Sequence, residues 1–303
     1  MKMIDFIHEI RENIPTLELQ SEQPLSKYTS FRIGGNAECI AFPKNEEELS
    51  KLLELSDKMD IDSAILGAGT NVLAPDEGIR GLVICLKDCL DGMERVGTTG
   101  IRVMAGVTMS RAALYAAKQG LSGLEFAHGI PGSVGGGVFM NAGAYGGEIK
   151  DVCTRVRIVD RQGNCKWLTR DEVDFSYRHS AIQDNNWIVV AAEFELEPKP
   201  EEEILSRIHE LMGKRSASQP LDMPSAGSAF KRPVGGYASA LISDTGLRGF
   251  QVGGAAVSEK HTGFVVNLGN ATAEDVKSLL KQVSDRVYEK TGIRLEPEVR
   301  IWQ

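Results

Sequence analysis

The sequence predicts an α+β protein. Three observations carry that expectation. Short β-branched runs and amphipathic helical stretches are interspersed without the regular strand–helix alternation of a parallel α/β sheet. Two glycine-rich loops fall in the first two-thirds of the chain, and a loop rich in Ser and basic residues falls in the last third. The 303 residues are enough for two domains. This layout suits one ligand gripped by the first part and a second closed over it by the rest.

The elements follow in order. Residues 3–14 read as a helix with Ile4, Ile7 and Ile10, or Phe6 and Ile10, on one side. Residues 29–33 and 37–42 read as strands about a Gly34-Gly35 turn. Asn45 is placed to cap a helix, with Glu48 as its capping-box partner and Leu49, Leu52 and Leu53 inward. Ser63–Leu66 and 82–86 are strands. Between them lies Gly67-Ala68-Gly69-Thr70-Asn71, which runs on towards Pro75 and not into a helix, so it is not a dinucleotide fingerprint. It is either a plain inter-strand loop or a cradle of backbone N–H groups.

Residues 101–105 form a strand, and Thr108 caps a helix that reaches Gln119 and stops at Gly120. Residues 155–160 and 165–168 form a hairpin, with further extended segments at 175–182 and 187–198. The composition shifts at Pro198-Lys199-Pro200, which sets the expected domain boundary: 1–197, itself split near 87–100, and 198–303. In the second part 201–212 is helical, 214–233 an ordered loop, 237–244 a helix and 263–268 a strand. Thr272 caps a helix through Lys290 that Gly292 ends, and the tail LEPEVRIW is extended.

The net charge of −8 argues against a nucleic-acid binder, which would carry a basic face. Five scattered cysteines (Cys39, Cys85, Cys89, Cys153 and Cys165) lack zinc spacing and read as free thiols. The N-terminus has no apolar signal-type core, and no apolar run approaches the ~18–20 residues of a membrane span. The expectation is a cytoplasmic protein without membrane insertion or a bound metal.

The densest feature is GIPGSVGGGVFMNAGAYGG, Gly129 to Gly147, in which eight of nineteen residues are glycine. Glycine at this density costs chain entropy. It suits either a tight hinge or a set of N–H groups closing on phosphates.

Taken together, GAGTN after a strand, GLEFAHGIPGSVGGGVFMNAGAYGGEI, SYRHS, PSAGSAFKRP and LEPEVR occur in an order and spacing that closely resemble the UDP-N-acetylenolpyruvoylglucosamine reductase family. The likeness extends from about Tyr28 to Ile301, in the shorter class that lacks an inserted tyrosine-bearing loop. The resemblance implies a two-subdomain FAD-binding fold of the p-cresol methylhydroxylase/vanillyl-alcohol oxidase type, followed by a C-terminal α+β substrate domain. It implies non-covalent FAD, with NADPH as hydride donor and UDP-N-acetylglucosamine enolpyruvate as substrate. Both hydride exchanges would use flavin N5.

The same resemblance distributes the site residues. The FAD pyrophosphate falls to the N–H groups of Gly67, Ala68, Gly69, Thr70 and Asn71, and to Gly129, Ile130, Pro131, Gly132, Ser133, Val134, Gly135 and Gly136. Asn141 and Tyr145 are placed as flavin neighbours. Arg178 in SYRHS is the stabiliser of the enolate-like charge, because a guanidinium grips a carboxylate as a fork. Ser228 in SAGSAF is the proton donor. Glu298 in LEPEVR donates a hydrogen bond to the growing charge, for which it must be protonated, as burial favours. Arg215, Lys231, Arg232 and Tyr237 are the candidates for the nucleotide sugar. His128 is read as a packed histidine, not a covalent flavin anchor. Ser239 and Ala240 stand where many relatives carry glycine and lysine, which removes a basic contact from that helix. Two other functions compete: a related flavin oxidase that ignores NADPH, and a nucleotide-sugar binding protein that has lost flavin.

Overall fold

A computed structural model describes residues 2–303. The chain forms two compact units. The first takes the chain up to Ser21, Cys39–Ala68 and Gly81–Gly213; the second takes Glu22–Glu38, Gly69–Arg80 and Lys214–Gln303. The units therefore alternate along the sequence, whereas the composition shift suggests one boundary at 197/198. No break falls there, because Glu197–Pro198 pairs with Leu121–Ser122 and the following helix runs from Glu201 to Ser218.

The first unit is built on a five-stranded antiparallel sheet in the order Cys165–Thr169, Cys153–Val159, Ile188–Glu195, Gly100–Met104, Met93–Val96. The middle strand is buried along almost its whole length, which is why it reads as an apolar run and not as an alternation. The short helix Val134–Phe139 packs on it. One face of the sheet carries a charged cluster: Arg155 and Arg102 lie 4.6 and 5.4 Å from the Trp167 ring and ion-pair with Glu193 at 2.5 and 2.7 Å. In the same unit Ser63–Leu66 pairs in parallel with Leu82–Cys85.

The helix Glu46–Lys58 starts at Asn45, whose Oδ1 accepts from the Glu48 N–H. The reciprocal half of the expected capping box is not formed. The Glu48 carboxylate is buried and accepts instead from the Lys44 N–H and the Thr16 hydroxyl. Thr108 caps Met109–Lys118 as the sequence indicates, and Gly120 at φ +67° ends it.

The second unit holds an antiparallel sheet in the order Ser225–Ser228, Phe264–Asn267, Ala255–Val257, Gln251–Val252. Against it lies the helix Ala273–Thr291, burying Val276, Leu279, Leu280, Val283 and Val287. Its start is strongly held. Thr272 and Asp275 form a capping box, and the Asp76 carboxylate accepts from the Ala273 and Glu274 N–H groups.

Two expected strands are not strands. Residues 29–33 form a turn in which the Thr29 hydroxyl donates to the Ile33 carbonyl and Arg32 sits at φ +56°; Phe31 and Ile33 are buried although the backbone is not extended. Residues 175–182 form a tight turn that leads into the helix Ala181–Asp184.

Candidate functional site

In the first unit, Gly67 and Ala68 leave the strand Ser63–Leu66, and among the described residues their N–H groups make no hydrogen bond within the chain. A Cβ on Gly67 would stand 2.7 Å from the Ser133 hydroxyl, so the two glycine loops touch at this point. The second loop departs from expectation. Its latter half is the helix Val134–Phe139, capped by Ser133. The Val134 and Gly135 N–H groups donate to the carbonyls of Val107 and Ala105 at 2.8 and 2.9 Å, Gly136 donates to the Ser133 hydroxyl, and Ile130 donates to Ala127.

Those four amides are therefore not donors to a phosphate, a correction to the expected cradle. Among the described residues, the N–H groups of Gly129, Gly132 and Ser133 make no bond within the chain, so the cradle narrows to them and to Gly67 and Ala68. Pro131, which has no N–H, stiffens the loop between. The glycines of the helix serve packing: a Cβ on Gly135 would meet Ala105 at 2.9 Å, and one on Gly137 would meet the Met109 sulfur at 2.8 Å.

Past the helix, Asn141 is fully buried at φ +42°. Its Nδ2 donates to the Glu148 carboxylate and the Ser176 carbonyl, both at 2.9 Å, and its Oδ1 accepts from the Lys150 N–H at 3.0 Å. Both hydrogens of the amide are thus engaged within the chain, and its oxygen holds one further contact. Tyr145 and Gly146, at φ +54° and +88°, form the two-residue tip of a hairpin in which Ala144 pairs with Gly147. This tip leaves the Tyr145 ring exposed.

Arg178 sits at the tip of a second tight turn, in which Ser176 and His179 exchange backbone hydrogen bonds. Its φ of +57° is unusual for a bulky residue. Its guanidinium lies 5.0 Å from the Tyr177 ring and donates to the Gly143 carbonyl at 3.4 Å.

In the second unit, Gly69 at φ +64° passes against the Tyr28 carbonyl, and Ser30 fixes it by donating from its N–H to the Gly69 carbonyl. The Ser30 hydroxyl donates to Ser225 O at 2.6 Å. Thr70 follows, and Asn71 donates from Nδ2 to the Glu298 carbonyl at 3.2 Å. Glu298 in turn donates its N–H to the carbonyl of Ala229, next to Ser228. The sequence-predicted Ser228, Glu298 and Asn71 thus belong to one hydrogen-bonded block. Ser228 is exposed at the end of its strand, after a bulge at Gly227 (φ +75°), and Glu298 is half-buried.

Of the nucleotide-sugar candidates, Arg215 is buried on the helix Glu201–Ser218. Lys231 pairs with Glu296 at 3.4 Å, and Arg232 stacks 4.4 Å from the exposed Tyr237 ring. Arg178 belongs to the first unit, whereas Ser228 and Glu298 belong to the second. The sequence gives no signal for Gln183 or Ser30, whose spacing matches no motif.

The residues present fit a phosphate-bearing cofactor: among the described residues, five neighbouring amides in two touching loops lack a partner, and the buried His128 Nδ1 at the entry to the second loop has none either. Burial and the nearby His209 hold His128 below its usual pKa. No group of His, Cys, Asp or Glu among the described residues could hold a metal, and no helix among them is long and apolar enough to cross a membrane.

A model of an FAD binding domain matches residues 37–169, and one described as UDP-N-acetylenolpyruvoylglucosamine reductase, C-terminal domain, matches 219–302. A UDP-N-acetylenolpyruvoylglucosamine reductase of Agathobacter rectalis is 48% identical over 98% of each chain. One of Latilactobacillus sakei is 45% identical over 99% of this chain and 98% of that one. The crystal structure of UDP-N-acetylenolpyruvylglucosamine reductase from Thermus caldophilus superposes with a TM-score of 0.79 at 36% identity, covering 95% of this chain and 99% of that chain.

Proposed function

Because this chain belongs to the UDP-N-acetylenolpyruvoylglucosamine reductase family, we propose that it reduces UDP-N-acetylglucosamine enolpyruvate to UDP-N-acetylmuramate at the expense of NADPH, in the making of peptidoglycan precursors. The observation that carries this is identity of 48% along 98% of both chains, with both family models matched. FAD, when bound, supplies the hydride carrier between NADPH and the enolpyruvyl double bond.

The N–H groups of Gly67, Ala68, Gly129, Gly132 and Ser133 are suited to its phosphates, and Gly69, Thr70 and Asn71 continue the first loop. Tyr145 is an exposed neighbour for the ring system or substrate. Hydride arrival at the enolpyruvyl CH₂ pushes negative charge onto the adjacent carbon and its carboxylate. Arg178 is assigned to that carboxylate, since a guanidinium pairs with it bidentately and stabilises charge that grows in the transition state. Ser228 is assigned the proton delivered to the carbon between ether oxygen and carboxylate. Glu298, tied through its backbone to Ala229 and Asn71, supports the growing charge when protonated. Lys231, Arg232, Arg215 and Tyr237 are assigned to the nucleotide sugar. The cytoplasm is the expected site of action, where NADPH and the sugar nucleotide are both found.

The test is NADPH consumption by the purified, FAD-loaded protein with and without UDP-N-acetylglucosamine enolpyruvate. The sugar nucleotide must raise turnover; an oxygen-driven rate indifferent to it would overturn the reading.

A further inference from the structure

We propose that Gln183 is a positioning residue for Arg178, locking its turn to the end of the glycine-rich helix. The proposal rests on the role given to Arg178 above. Three observations carry it. First, Arg178 is held in the left-handed region at φ +57°, which is unfavourable for a non-glycine residue and so needs support from its surroundings. Second, the Gln183 Nε2 donates to two carbonyls, Arg178 O at 3.2 Å and Phe139 O at 2.7 Å. Third, the Phe139 carbonyl is one of the acceptors that a helix leaves without an internal partner at its C-terminal end, and the Ser180 hydroxyl donates to it as well at 2.8 Å.

The turn is also gripped from its other side. Asn141, two residues past that helix, donates to the Ser176 carbonyl at 2.9 Å. The four-residue turn Ser176–His179 is therefore fixed at its first residue by Asn141 and at its third by Gln183, and both grips originate at the end of Val134–Phe139. The helix begins at Ser133, beside the amides suited to the cofactor phosphates. One short rigid element thus sets the registration between the cofactor loop and the catalytic guanidinium. Gln183 is the side-chain part of that link, because it is half-buried and one amide nitrogen with two hydrogens reaches both carbonyls.

Without that donor, the Arg178 carbonyl loses its clamp and the turn relaxes out of the left-handed region. The Cα–Cβ direction of Arg178 swings, and the guanidinium leaves the substrate carboxylate. A displacement of about 1 Å at a catalytic group can cost on the order of 10²-fold in rate. The loss falls on the step in which the enolpyruvyl group receives hydride, because only there does carboxylate charge grow. Reduction of the cofactor by NADPH does not use that charge.

The experiment compares Gln183→Leu, which has no donor, Gln183→Glu, which places an acceptor against two carbonyls, and Gln183→Lys, which restores donors. Anaerobic rapid mixing measures flavin bleaching by NADPH and, separately, recovery of flavin colour on adding UDP-N-acetylglucosamine enolpyruvate. FAD affinity is titrated, and a crystal structure of Gln183→Leu gives the backbone at Arg178. Expected are colour recovery slowed roughly 10–100-fold in the Leu and Glu variants, bleaching and FAD affinity unchanged, at least partial rescue by Lys, and Arg178 outside the left-handed region in the Leu variant. Equal slowing of both steps, lost FAD affinity, or no rescue by Lys would make Gln183 a general stability residue and overturn the proposal. Arg178→Lys is the control. If that variant recovers colour at the wild-type rate, the role of Arg178 itself falls; if it is slow and Gln183→Leu is not, only the positioning claim falls.

Discussion

Replacing Asn141 by Asp exchanges one atom and should make stability newly dependent on pH. The amide is fully buried, donates to the Glu148 carboxylate and the Ser176 carbonyl at 2.9 Å each, and accepts from Lys150 N–H at 3.0 Å. A carboxylate in its place keeps the acceptor for Lys150 but turns both donor contacts into acceptor–acceptor contacts, one of them between like charges. Lys150, 3.0 Å from the same Glu148 oxygen, is partly exposed and offsets only part of this. Burial and a facing carboxylate both raise the pKa of an acid, and fully buried groups shift by up to 3–5 units. A shift of about 3 units corresponds to about 4 kcal/mol, at about 1.36 kcal/mol per unit.

The sign follows from the raised folded-state value. The introduced carboxyl is tolerated in its protonated form below its unfolded pKa of about 3.9, and that tolerance is lost as pH rises through the folded value. The variant should therefore lie within about 1 kcal/mol of wild type near pH 4.5 and fall about 4 kcal/mol below it by pH 8. Asn141→Ala provides the reference, since it loses the same contacts at every pH. Urea unfolding followed by circular dichroism at the two pH values reads the difference. An equal deficit at pH 4.5 and pH 8 would show that the site does not confine the carboxylate against Glu148, and the account of Asn141 would be wrong.

Ser228→Ala should slow flavin colour recovery by the enolpyruvyl substrate about 10²–10⁴-fold while NADPH bleaching persists; an unchanged recovery rate removes Ser228 from proton transfer. Burial alone would raise the pKa of Glu193, but hydrogen bonds and charge from Arg155 and Arg102 outweigh it and hold the carboxyl below its usual 4.5. Its contribution is present above that value and is lost as pH falls through the depressed one, so Glu193→Gln should cost roughly 1–2 kcal/mol at pH 7, allowing for the exposed arginines, and converge on wild type near pH 3. Parallel stability curves from pH 7 to pH 3 would refute this. Gly69→Ala adds a side chain at φ +64° against the Tyr28 carbonyl, so it should destabilise by more than about 1 kcal/mol and weaken FAD retention; a variant that melts and holds FAD like wild type would refute the loop geometry.

Where local chemistry sets the backbone, the sequence is readable. Thr108, Thr272, Gly120 and Gly292 mark helix ends because a hydroxyl cap and a left-handed stop act within one turn. Where the deciding partner is remote, it is not. Glu48 has the right spacing for a capping box, yet Thr16, 32 residues away, takes its carboxylate. Residues 29–33 read as a strand, but a side-chain bond from Thr29 holds a turn that buries Phe31 and Ile33. The second unit draws in Glu22–Glu38 and Gly69–Arg80 through pairings such as Arg300 N–H with the Asn71 carbonyl, which no local composition shift could reveal.

The glycine stretch shows the same division within one motif. Density alone suggests a continuous row of amides facing a ligand. Once the strand carbonyls of Ala105 and Val107 are near, they capture Gly135 and Val134, and the glycines there let a helix lie close on a sheet. Only the turn before the helix keeps donors for an anion. The function of the later half is then mechanical: the carbonyl at Phe139 and the amide of Asn141 hold the Arg178 turn. A bulky substitution at Gly137, such as Gly137→Leu, should for this reason slow flavin colour recovery, which uses Arg178, more than it weakens FAD binding, since the Met109 side chain can yield to a methyl but not to a larger group, and equal losses in the two measurements would refute this.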